Sequence, residues 1–490
     1  MENRLALRNG GPVVLAALAA IVLLGLGLRV ENAWEGRAPV YDAQAYAAIA
    51  ANLERGEGFT AGPHATQPAS NYSPGLPLFV AGIYEAAGGV HERLARLILA
   101  VIGTLAVLFT YLLARRLLAL LPSPAFGQGK VAAALPALGA AVAVAVYPAL
   151  LEYQGMLMGE PLAATLLSGA VLAALWARDG EREGAKLRTS TRWLLPGLLF
   201  GALSLVRPEY LGITVLAALA VALGPSCRFL SDSDEKRQLG RRVRAAGGVG
   251  AAVVLLAGAA LAVAPWTVRN AVALDRFVPI STGGGQVLFA GTYLPSDGNP
   301  EKVGAEVVGR NPDLFAPGAA GRLRLEQILA RLAARERPGE EADRALSRMG
   351  KEQLWTDIRD EPLETAGFVA SKIARIWSHG PRDVMREPGW EALHWLLVAA
   401  GLLGLGLLAW RRRWEALLIG TIFLAITAIS AILVASPRRV LVLLPLLAAL
   451  AAVGLLWLGA RIARLASSQG HGRQKAPTAP PGGVGSLGPP

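Results

Sequence analysis

WLLPGLLFGALSLVRPEYLGITVLAALAVALG, residues 193–224, sets the topology of the whole chain. The stretch is apolar almost throughout, with one interruption at Arg207-Pro208-Glu209. As a single helix it is too long for an ordinary span of about 20 residues. A single span would also put the following loop, CRFLSDSDEKRQLGRRVR (227–244), on the outer side with its basic cluster, against the positive-inside rule. Two short helices meeting at 207–209 satisfy both constraints, and Pro208 suits a helix start after a turn.

With that parity, apolar runs predict about ten membrane helices, near 12–30, 92–113, 130–148, 160–177, 193–206, 209–224, 247–266, 390–410, 414–435 and 440–460. Basic residues mark the expected cytoplasmic ends at Arg115-Arg116 to Lys130, Arg178 to Arg192, Arg228 to Arg244, Arg411 to Arg413, and from Arg461 onward. Arg4 and Arg8 hold the N-terminal end on the same side. The run Pro12 to Val30 is longer than a signal-peptide core, and no small-residue cleavage site follows it, so a retained anchor is expected.

The chain therefore reads as an all-α polytopic membrane protein with a small external α-rich domain after the seventh helix. Residues 1–266 form an N-terminal transmembrane module with an external loop at 31–91, and residues 267–389 form the external domain. Residues 390–466 supply the C-terminal transmembrane helices. The Pro- and Gly-rich residues 467–490 are expected to be a disordered cytoplasmic tail.

Composition agrees. Of 490 residues, 53% are hydrophobic and 17% charged, where a soluble chain carries about 25% charged. The formal charge of +12 sits in short loops between apolar runs, so it reports topology and not nucleic-acid binding. Cys227 is the only cysteine, which excludes an intrachain disulfide or a cysteine metal cluster. There is no Walker loop, no HExxH, and no pair of histidines at metal spacing; His64 and His379 read as ordinary outer-surface residues.

The outer side collects Asp42, Glu152, Glu160, Arg207, Glu209, Arg269, Arg438 and Arg439 from separate connections. Ionisable residues near membrane depth usually face an interior or a cavity and often mark function. Asp42 opens the amphipathic helix Ala43 to Arg55, whose Tyr46, Ile49 and Leu53 share a face that suits the membrane surface. It serves as a helix cap or as a catalytic carboxylate, and the two roles can coexist. Glu160-Pro161 reads either as a first-turn acid on a helix dipole or as a site acid. Glu152 reads as a solvated or interfacial acid. Arg438-Arg439 either snorkel to headgroups or clamp a lipid phosphate; Arg269 and Arg207 carry the same ambiguity. The glycines of STGGG (281–285) permit close backbone approach to a phosphate or sugar.

These segments resemble, in order, landmarks of the glycosyltransferase C superfamily, nearest to protein mannosyltransferase and aminoarabinose transferase relatives. The carriers are YDAQAYAAIAANLERGEGF with NYSPGLPLFVAGIY, YPALLEYQGMLMGEPL, LSLVRPEYL, PWTVRN with FVPISTGGG, and SPRRVLVLLP. Most of residues 1–460 is covered. The resemblance implies a membrane-embedded transferase that takes sugar from a polyprenyl-phosphate donor, with Asp42 and Glu160 as the catalytic acids. Tyr46, Tyr72, Arg207, Glu209, Arg269, Arg438 and Arg439 are the candidate substrate-binding residues. Family members often follow the first acid with another; here Ala43 stands there, which weakens a metal role, though a divalent metal remains a candidate cofactor. The closing basic-aromatic-basic pattern is altered to Arg438-Arg439.

The chemistry suits these residues. An acceptor hydroxyl must lose its proton as it attacks the anomeric carbon, and a carboxylate acts as base. The transition state is oxocarbenium-like, and the leaving phosphate needs a cation. The expected partners are the lipid-linked donor, a lipid, glycan or protein acceptor, and the membrane itself, expected to be the bacterial cytoplasmic membrane with the site outside. A transporter or lipid flippase with the same charges along a pathway is the alternative, although no inverted repeat or paired broken helices support it. A structural assembly protein without catalysis is the third.

Overall fold

The computed structural model describes residues 11–37, 42–62, 68–121, 134–182, 190–224, 235–296, 299, 302–378 and 380–472. Among these the chain is helical, with no strand. Seven helices are long and apolar enough to cross a membrane: α1 (Pro12–Glu35), α4 (Glu92–Leu118), α7 (Gly159–Arg182), α10 (Glu235–Leu274), α17 (Pro388–Trp410), α18 (Trp414–Ile432) and α19 (Arg438–Gly472). An eighth is a broken pair, α5 (Leu135–Val146) and α6 (Pro148–Gln154), bent by 45°. The two short helices expected from 193–224 are α8 (Leu194–Val206) and α9 (Tyr210–Leu223). Arg207 is extended between them (φ −137°, ψ 98°). With α2 (Asp42–Glu54) and α3 (Gly75–Ala87) in the first loop, the apolar runs are helical among the described residues.

Two helices run past their expected ends. Proline inside a helix removes one hydrogen bond without necessarily ending it, and α10 continues through Pro265 to Leu274. Arg269 is thus a helical residue. At the other end, α19 extends to Gly472, six residues beyond the boundary expected at 466; the remaining tail, 473–490, lies outside the described residues.

Burial ranks the spans. Within the apolar window of α1 only 17% of residues are buried, against 89% for α7 and 83% for α19. The two central helices each begin with a charge, Glu160 in the first turn of α7 and Arg438 at the start of α19. α19 packs on α4, α5, α7 and α17, and α8 packs on α7 and α10. In a membrane the approach of helices depends on small residues at the contact. A Cβ on Gly404 would lie 2.1 Å from the Leu450 carbonyl oxygen, and one on Gly454 would lie 2.1 Å from that of Ala400. The α17 and α19 backbones therefore touch. Gly404→Val is expected to destabilise the protein by about 3 kcal/mol, the upper end of ordinary overpacking. Gly406→Val, whose Cβ would meet nothing within 4 Å, is the control. Equal thermal midpoints for the two variants in detergent would refute the contact.

The bend between α5 and α6 has a sequence cause. Pro148 has no N–H to offer the Val144 carbonyl one turn back. Arg29, buried on α1, supplies the missing donors: Nη2 to the Val144 oxygen at 3.1 Å and Nη1 to the Ala145 oxygen at 3.2 Å. The break turns α6 across the end of the bundle toward Glu160.

Between α10 and α17 lies a small helical unit: α11 (Gly284–Thr292), α12 (Val303–Arg310), α13 (Ala319–Arg322), α14 (Leu325–Glu336), α15 (Ala342–Asp360) and α16 (Pro362–Ser378). Phe289, Val303, Val307, Phe315, Ile328 and Leu346 belong to its own apolar core. Lys372 of α16, 1% exposed, fastens the unit to the bundle: its Nζ donates to the carbonyl oxygens of Gly291 at 2.5 Å and Ala431 at 2.8 Å.

Candidate active site

Four charged residues from four connections meet at one end of the bundle. Arg438, at the head of α19, donates from Nε to Glu160 Oε1 at 2.5 Å and from Nη1 to Asp42 Oδ2 at 3.0 Å. Arg207, in the α8–α9 turn, donates from Nη2 to the same Glu160 oxygen at 2.5 Å. The two acids and two arginines form one continuous network of formal charge zero.

Exposure separates the two acids. The Glu160 side chain is 0% exposed and that of Asp42 is 45% exposed. Glu160 is sealed under two guanidinium groups and holds both arginines. Its Oε2 is buried without a hydrogen-bond partner. Asp42 lies inside the first turn of α2, and its carboxylate turns to Arg438. Only Oδ2 is used there, so Oδ1 keeps its acceptor capacity. On Arg438 the Nη2 amine is likewise left over, and the side chain is 26% exposed.

Tyrosines flank the network. The Tyr46 ring, on α2, meets Tyr72 edge to face at 6.1 Å. Burial, reinforced by the Asp42 charge, pushes the Tyr46 hydroxyl up to about 12. It is therefore a neutral donor at ordinary pH. Burial also raises the Tyr72 hydroxyl. The Arg438 guanidinium lies over the Tyr153 ring, 5.8 Å from its centroid.

The other candidates fall elsewhere. Arg439 turns away from Arg438, pairing with Glu209 at 3.7 Å and donating to the Val434 carbonyl. It ties the start of α19 to the α8–α9 turn and to the end of α18. Arg269 stacks over Trp266 at 4.7 Å and Phe59 at 5.5 Å and donates to Asn270. It joins none of the four central charges. Glu152, expected as a solvated or interfacial acid, is only 16% exposed, so it is not a freely solvated one, and it pairs with Arg37 and Arg382. The STGGG turn is stitched to the first loop by the Ser70–Thr282 hydroxyl pair at 2.9 Å. Its helix N-terminus is already filled: Asp343 Oδ1 accepts from the Gly285 and Gln286 backbone N–H groups at 2.9 and 3.3 Å. A carboxylate in that position disfavours a phosphate at those two N–H groups, while the close backbone approach that the glycines permit to a sugar is untouched by it. His64 and His379 lie outside the described residues.

Among the described residues, the donor set at this site does not fit a metal ion. Among the described residues no group of three or more His, Cys, Asp or Glu gathers in metal-binding geometry. The two carboxylates that do converge share the Arg438 guanidinium, and Ala43, beside Asp42, is fully buried.

Sequence reading missed Arg29, Arg37, Tyr153, Lys372 and Arg382. Arg29 had one available signal, a lone charge inside an apolar run ahead of a downstream Tyr-Pro break.

No family model and no curated protein matches the chain. Solved structures do. The apo form of the Archaeoglobus fulgidus oligosaccharyltransferase matches at 15% identity and TM-score 0.52, over 94% of this chain and 52% of that one. The form tethered to an acceptor peptide containing the NVT sequon matches at 16% and 0.51, over 91% and 49%. ArnT from Cupriavidus metallidurans in the apo state matches at 15% and 0.37, over 89% and 77%. At these identities the likeness to the oligosaccharyltransferase structures is one of fold alone. The chain spans about half the length of the oligosaccharyltransferase chains it matches.

Proposed function

We propose that this chain is an integral membrane glycosyltransferase that moves a sugar from a polyprenyl-phosphate carrier to an acceptor, with Asp42 as general base. The observation that carries the reading is the Asp42–Arg438–Glu160–Arg207 network: one accessible carboxylate held by an arginine that is itself anchored on buried Glu160, which Arg207 also holds. The fold shared with an oligosaccharyltransferase supports it.

In this reading the acceptor hydroxyl places its proton at Asp42 Oδ1 while its oxygen attacks the anomeric carbon. The bond from that carbon to the phosphate oxygen breaks, and its electron pair stays on the phosphate. The negative charge of Asp42 favours the oxocarbenium-like transition state. Arg438 Nη2 donates to the departing phosphate, a charge-assisted contact of the kind guanidinium makes well. Tyr46 and Tyr72 flank the acceptor side, and Glu160 and Arg207 are positioning residues. The site faces the exterior of a bacterial cytoplasmic membrane, and the acceptor is a lipid, a glycan or a protein.

The test begins in the host. Removing the protein should cause a lipid-linked sugar to accumulate, detectable by mass spectrometry. Purified full-length protein given that lipid should release polyprenyl phosphate and glycosylate an acceptor. Movement of the lipid or a solute across proteoliposomes without any transfer would instead make the protein a transporter or flippase.

A further inference from the structure

The four-charge network is electrically balanced, so it holds no net cation for an incoming phosphate. The nearest surplus lies one aromatic ring away. Tyr153, beneath Arg438, also carries the Arg382 guanidinium 5.9 Å from its centroid. Arg382 donates from Nε to Glu152 Oε2, and Arg37 Nη1 lies 3.6 Å from the same oxygen. Two guanidinium groups thus share one carboxylate, leaving a net charge of +1. Each guanidinium has five N–H donors, and most are unused among the described residues. The side chains are 51% exposed at Arg37 and 33% at Arg382. The nearby acids Asp383 and Glu92 are engaged by Arg386 and Arg96.

The cluster is held in place by backbone. The Arg37 N–H donates to the Gly155 carbonyl at 3.1 Å, docking the end of α1 on the end of α6. Arg382 precedes the single turn Asp383–Arg386, which buried Met385 seats in the core. Arg269 is a weaker candidate cation, because it stands alone and its face is covered by two rings.

We propose that Arg37 and Arg382, poised on Glu152, form a phosphate subsite adjoining Asp42 across Tyr153. The ligand is a lipid phosphate, and the assignment rests on the transferase reading only for its source, the donor rather than the bilayer. The subsite supplies the net positive charge that grips the phosphate, while Arg438 keeps Asp42 aimed at the sugar and adds its Nη2 donor to the departing oxygen.

The test measures binding of farnesyl phosphate to the purified full-length protein in neutral detergent. The Arg37→Gln/Arg382→Gln double variant should bind at least about tenfold more weakly, the ordinary loss for charge-assisted hydrogen bonds. Glu152→Gln frees both arginines and should bind more tightly. A purely structural ion pair predicts no gain there. If either variant fails to fold, Arg382→Lys keeps the charge but loses the planar fork, and should weaken binding by a smaller factor. Unchanged affinity in a folded double variant, or no gain with Glu152→Gln, overturns the proposal.

Phosphatidylglycerol as competitor identifies the source. Displacement of farnesyl phosphate in the wild type assigns the subsite to any lipid phosphate, bilayer included. Lack of displacement assigns it to the prenyl carrier. Arginine-dependent binding in a protein that transfers no sugar would keep this subsite and discard the transferase reading. Sugar transfer with arginine-independent binding would do the reverse.

Discussion

Replacing Asp42 with Asn is expected to give a folded protein that still binds its donor and transfers sugar about 100- to 10,000-fold more slowly, the ordinary cost of losing a general base. Asn keeps the size of the side chain, stays a good residue at a helix start, and still offers an oxygen to Arg438 Nη1. It lacks the carboxylate that receives a proton. The contact it preserves is the 3.0 Å hydrogen bond that positions the group. Asp42→Ala removes both charge and contact, and should lower stability by about 0.5–2 kcal/mol as well. The pair of variants separates the two roles that sequence left open. Near-normal transfer by the Asn variant would make Asp42 a structural end to α2. The base could not then pass to Glu160, which is 0% exposed, so the reaction itself would have to be reassigned.

The fold was legible because membrane helices announce themselves one at a time. Each apolar run carries its own length signal, and the break at Arg207-Pro208-Glu209 was visible as a charged interruption. Helix ends were less legible. Pro265 reads as a boundary, yet packing of α10 against α8 and α9 carries the helix through it. In the site, sequence order brought Asp42, Glu160, Arg207 and Arg438 onto one side but said nothing of contact. Contact depends on the depth at which each helix starts, and that depth is set by packing such as the touching backbones of α17 and α19. For the same reason Arg438 and Arg439, adjacent in sequence, were read together. On a helix, neighbouring residues point about 100° apart, so one reaches Glu160 and the other Glu209. Arg382 escaped notice because nothing local marks it. Its partner lies 230 residues away.

Arg438→Gln should lower transfer by about 100- to 1,000-fold, the range seen when one preorganised donor to a developing charge is lost. Two causes would give that result. In the first, Arg438 serves the reaction directly, through Asp42 and the departing phosphate; in the second, it only neutralises Glu160. The second cause has a known signature: removing one partner of a buried ion pair costs about 3–5 kcal/mol, because the other charge is left uncompensated. Arg207 still contacts Glu160 at 2.5 Å, which should soften that loss. The double variant Arg438→Gln/Glu160→Gln separates the causes. Removing both charges should recover stability, read as the thermal midpoint in detergent, since the buried charge is gone. Transfer should stay low, because no guanidinium then links Asp42 to the phosphate side. Arg438→Lys should fail in the same way, as an ammonium cannot span Nε-to-Glu160 and Nη1-to-Asp42 with fixed fork geometry. Transfer that returns together with stability in the double variant would reduce Arg438 to a counter-ion and leave Asp42 to act without it.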